Sequence, residues 1–139
     1  MAQLSIKQEG TVTLNNVAHK VTSNRVVDVS QVYQTEFTCE TGNDRKVLPL
    51  DKGAYGWGNL QFASITNLDS TNFLLLTIFV NSSTTDSYIF LKIPAGKTFV
   101  LGSNQAYTDQ SSPASLADIS NVWLKADTAS VQAKIFMAY

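Results

Sequence analysis

Between Leu60 and Gly102 the chain reads as three apolar runs of strand length, LQFASITNLD, NFLLLTIFVN and SYIFLKIPAGKTFVLG, parted by polar turn residues. The first stops at Asn67-Leu68-Asp69-Ser70-Thr71-Asn72, a polar hairpin connection. The second, Phe73 to Val80, is apolar on both faces, as a central strand buried on two sides would be. The third carries its own hairpin. Pro94 already has a φ near the turn value, and Gly96 falls where a Pro-x-Gly turn needs a left-handed residue.

The rest of the chain continues the pattern. Leu4, Ile6, Val12 and Leu14 can share one face, with Ser5, Lys7, Thr11 and Thr13 on the other. Gly10 interrupts this run, so residues 1–10 read as an arm or short strand and residues 11–139 as the main domain. Asn15-Asn16 is a turn signal, and Asn24 is a second candidate. Val27, Val29, Tyr33, Phe37 and Cys39 fall on odd positions, with a break at Gln31 and Val32. Helical spacing of Val26, Val29 and Tyr33 is the alternative, and β-branched content favours the strand. KVLPL is short and contains Pro49, which points to an edge strand. At the C-terminal end Val122 and Leu124 alternate with Trp123 and Lys125. A turn follows at Ala126-Asp127-Thr128-Ala129, and then Val131, Ala133, Ile135, Met137 and Tyr139 line one face. Nine or ten strands with short connections and no long helix predict an all-β, single-domain antiparallel β-sandwich, with a jelly roll as the preferred topology.

A chain of 139 residues is long enough to bury its own core without a disulfide or metal. The single cysteine, Cys39, excludes an intrachain bridge, and with one histidine, His19, the usual zinc sets are out of reach of one chain. The opening MAQLSIKQEG lacks a basic and an apolar leader region, so the expectation is a protein made in the cytoplasm. FLLLTIFV is too short to span a bilayer as a helix, so no membrane partner is expected. Net charge is −1, charged residues are 15% of the chain, and no basic stripe suggests nucleic acid. Ser, Thr, Asn and Gln make up roughly a third of the chain, which suits a surface that meets other proteins without long-range steering.

Catalytic templates are missing. There is no GxSxG elbow, no GxxxxGK[ST] loop, no HExxH and no EF-hand spacing. His19 has no motif around it, and Cys39 alternates with Phe37 on the apolar side as a buried thiol would. Asp51, Asp69, Asp86, Asp109, Asp118 and Asp127 mostly occupy expected turns, where Asp bonds the local backbone. No catalytic residue, cofactor or metal ligand is therefore assigned, and the expectation is a protein that is not an enzyme. The candidate contact residues are aromatic. Tyr55 and Trp57 lie among the three glycines of DKGAYGWGN, where they either plug the end of the core or stack on a sugar or a protein. Trp123, whose neighbours on its own face are polar or charged, faces the same choice between the core and an outer sheet face that meets another subunit.

Three hairpins carry a resemblance. Ile65 to Asn72 (I-x-N-L-D-x-T-N), the Lys92 to Lys97 hairpin and the Ala126 to Val131 turn occur in an order similar to that of small β-sandwich virion proteins of tailed bacteriophages. The likeness covers about residues 56–139. It implies a structural protein of the virus particle: a capsid decoration or cement protein, a neck or tail component, or a fibre-knob module. The partners it implies are other copies of the chain, as a trimer, and neighbouring virion proteins, foremost the major capsid protein. A different class of function, a carbohydrate-binding module using Tyr55 and Trp57, is the alternative.

Overall fold

The computed structural model describes residues 2–42, 46–47, 60–81, 86–102 and 119–139. Among these residues all regular structure is β, in ten strands. The chain divides into two compact units, residues 1–30 and 31–139.

The first unit is a ribbon. β1 (Ala2–Leu14) and β2 (Val17–Val29) pair antiparallel along their whole length, from Ala2↔Val29 to Leu14↔Val17. Asn15 and Asn16 close it with φ of 50° and 62°. A two-residue hairpin loop that matches strand twist needs positive φ at both positions, and Asn is among the few side chains that tolerate it. β1 runs through Gly10 without a break, opposite Val21, so the chain divides at Ser30 and not at residue 10. Asn24 is likewise no turn. It lies inside β2 opposite Lys7, on the polar side of the ribbon, where its side chain disturbs nothing.

The described residues of the second unit form an eight-stranded sandwich. Its strands are β3 (Val32–Cys39), β4 (Lys46–Val47), β5 (Phe62–Asn67), β6 (Leu74–Asn81), β7 (Asp86–Ile93), β8 (Thr98–Gly102), β9 (Ile119–Ala126) and β10 (Val131–Ala138). They form two four-stranded sheets, β3-β10-β5-β8 and β4-β9-β6-β7. That order, with the last strand beside the first in one sheet and the second beside the second-to-last in the other, is the jelly-roll arrangement. No helix appears between Val27 and Cys39. β2 ends at Val29, the chain breaks step at Ser30-Gln31, and β3 begins at Val32.

The inward positions of both sheets meet in one core. β10 contributes Val131, Ala133, Ile135 and Met137, and β5 contributes Ala63 and Ile65. From the other sheet come Leu74, Leu76 and Ile78 of β6 with Val122, Leu124 and Ala126 of β9. Cys39 is buried among them, as the alternation of β3 requires. β6 is indeed central, between β9 and β7, and β4 is an edge strand. Backbone bonds of 3.2 and 2.9 Å between Gln31 and Tyr139 tie the first residue of the sandwich to its last.

Two of the turn motifs converge on one side chain, and the third bonds its neighbours. Asn67 is fully buried, and its Nδ2 donates to the carbonyls of Asn72 (2.9 Å) and Ile93 (3.1 Å). Its Oδ1 accepts from the Asp69 amide at 2.9 Å, and its own amide donates to the Lys97 carbonyl at 2.9 Å. The Thr128 hydroxyl donates to Asn72 Oδ1 at 3.0 Å, and the Leu68 amide donates to the Gln132 carbonyl at 2.9 Å. The β7–β8 turn closes by a 3.1 Å bond from the Lys97 amide to the Pro94 carbonyl. Pro94 is therefore the first residue of that turn, one place earlier than its φ preference suggests. Gly96 holds the third place with φ of 67°.

Two outcomes follow from this knot. Asn67→Asp keeps the shape but loses both donors toward two carbonyl oxygens, so about 2 kcal/mol or more of stability is lost, read as a fall of roughly 10 °C in melting temperature. Asp69 Oδ1 accepts from the amides of Thr71 (2.7 Å) and Asn72 (2.6 Å). Those bonds, Asn72 first, hold the Asp69 carboxyl below its ordinary value of 3.8. A depressed folded-state pKa contributes stability above the ordinary value and loses it as pH falls through the folded value. The melting-temperature gap between the protein and its Asp69→Asn variant is therefore open at pH 6 and narrows below pH ~4.

Candidate functional site

Each sandwich sheet has an outer face, and the two differ in chemistry. On the β3-β10-β5-β8 sheet the outward positions are mostly polar and paired across strands. Thr66 and Thr98 hydroxyls lie 2.9 Å apart, Gln132 donates to Thr38 at 2.7 Å, and Lys134 stands 3.9 Å from Glu36. Phe62 and Phe136 form an edge-to-face pair at 6.1 Å. Such cross-strand pairs make a self-sufficient wet surface.

The outer face of β9-β6-β7 is aromatic. Register sets Trp123, Thr77 and Phe90 in one row and Asn121, Phe79 and Tyr88 in the next, with Lys125, Leu75 and Lys92 beyond. Phe79 stacks on Tyr88 at 4.8 Å and on Trp123 at 5.9 Å, and Tyr88 lies 6.3 Å from Trp123 and 6.2 Å from Phe90. The planes of all four pairs are within 29° of parallel. At one border Lys92 Nζ sits 4.1 Å above the Phe73 ring, a cation–π contact. Thr77, the polar residue between Trp123 and Phe90 in its row, is buried.

Among the described residues β7 is the outer strand of this sheet. Tyr88, Ile89 and Phe90 are between 47% and 64% exposed, so an apolar edge strand faces solvent on both sides. Soluble proteins usually protect such an edge with charge, proline or a cover, because its unpaired amides and carbonyls template further pairing.

The ribbon offers a second surface. Its register places Leu4, Ile6, Val12 and Leu14 of β1 on one face with Val17, Val21, Val27 and Val29 of β2, and Lys7, Glu9, Thr11, Thr13, Lys20 and Thr22 on the other. Near the tip, Val12, Leu14, Val17 and Val21 are 56% to 71% exposed. On the polar face Lys7 and Glu9 make a 2.8 Å ion pair. His19 lies on the apolar face opposite Val12, exposed.

Of the aromatic candidates, Trp123 is on the outer face of its sheet, half-buried among other rings. Tyr55 and Trp57 lie outside the described residues. Phe79, Tyr88 and Phe90 carry most of the platform, and sequence reading missed them because only the register shows three strands aiming rings at one place. Asp86 opens β7 and so is not a turn residue, while Asp69 and Asp127 are in turns. Among the described residues no three His, Cys, Asp or Glu side chains gather as metal ligands, and no helix is long and apolar enough to cross a membrane.

Stacked rings contribute about 0.5–1.5 kcal/mol beyond area burial, so Trp123→Ala loses roughly 2 kcal/mol in urea unfolding. Phe90→Ser, at an exposed position, stays within about 0.5 kcal/mol of the unaltered chain. Equal losses for the two would mean that Phe90 is a core residue and not a contact residue.

Compared with family models, with curated proteins and with solved structures, the chain matches none.

Proposed function

We propose that this protein is a non-enzymatic structural component of a tailed-phage virion, a capsid decoration or cement protein that works by binding neighbouring capsid subunits. The observation that carries the proposal is the ribbon. A lone two-stranded hairpin is marginal in water, and this one runs 13 residues per strand with an apolar face exposed toward its tip. Such an element gains its stability by laying that face on another chain, and a jelly-roll body is a compact unit that can be repeated on a lattice. The resemblance of the Asn67, Pro94 and Thr128 hairpins to those of phage virion proteins supports the same reading, and with it a homotrimer bound to the major capsid protein.

Mass spectrometry of purified particles tests it. The chain is expected in the virion in hundreds of copies. About a dozen copies would move it to the neck or tail, and its absence would end the proposal. A variant with Val12, Leu14, Val17 and Val21 all changed to Thr keeps β propensity and removes the apolar face. It is expected to lose at least tenfold in particle occupancy, with the melting temperature of the sandwich within a few degrees of the unaltered chain.

A further inference from the structure

We draw no further inference here: the strongest candidate, the exposed apolar patch of Tyr88, Ile89 and Phe90 on β7, carries nothing because nothing in the structure shows what covers it.

Discussion

The sandwich depends on one buried amide. Asn67 ends β5, and its side chain reaches the β5–β6 connection and the last residue of β7, while its backbone reaches the β7–β8 turn. An amide has two donors and an acceptor, and here all are used at 2.9–3.1 Å. An apolar residue of similar size would leave two carbonyls and an amide without partners, a larger loss than the bonds themselves contribute. Because strands from both sheets end at this knot, it sets how one sheet is placed over the other.

That placement determines which faces are free. β10 and β5 are flanked on both sides and turn Ala, Ile and Val inward, so their sheet is closed by packing and by paired hydroxyls, amides and ions outside. β6 is also flanked on both sides but carries Leu75 and Phe79 outward. The rings of Tyr88 and Trp123 come to lie against Phe79, and the apolar surface passes out to the edge strand. Apolar surface thus reaches an exposed sheet edge, and the ribbon exposes another apolar face by a different route.

Much of this was legible in the sequence, for a local reason. Alternation is a property of a strand by itself, so Val131 to Met137 and Tyr33 to Cys39 announce their inward faces, and Leu4 to Leu14 its apolar one, residue by residue. Positive φ is also local, which is why Asn15-Asn16 and Gly96 mark their turns. Gly10 and Asn24 misled because both are turn formers that a long ribbon accepts on an exposed stretch, where neither a missing side chain nor a polar one disturbs any packing. What a period of two cannot express is adjacency. Nothing in Val131 to Ala138 says that its neighbours are β3 and β5, and without adjacency the gathering of Phe79, Tyr88, Phe90 and Trp123 is invisible. The hairpin motifs that suggested phage virion proteins prove to be parts of the Asn67 knot. They speak first about how the sandwich is tied and only through that about what it does.

The strand order also governs when the protein can exist. β10 sits between β3 and β5, yet it is made after both. Until residues 131–138 leave the ribosome, β3 has no partner among the described strands of its sheet and β5 shows one bare edge, while the ribbon has both its strands by residue 30. A translation error that stops synthesis short of β10 therefore yields a chain with a finished ribbon and an open sheet. Such a product retains the ribbon with its exposed apolar face and lacks the body that should follow it. On the assembly reading proposed above, incomplete synthesis is worse than none.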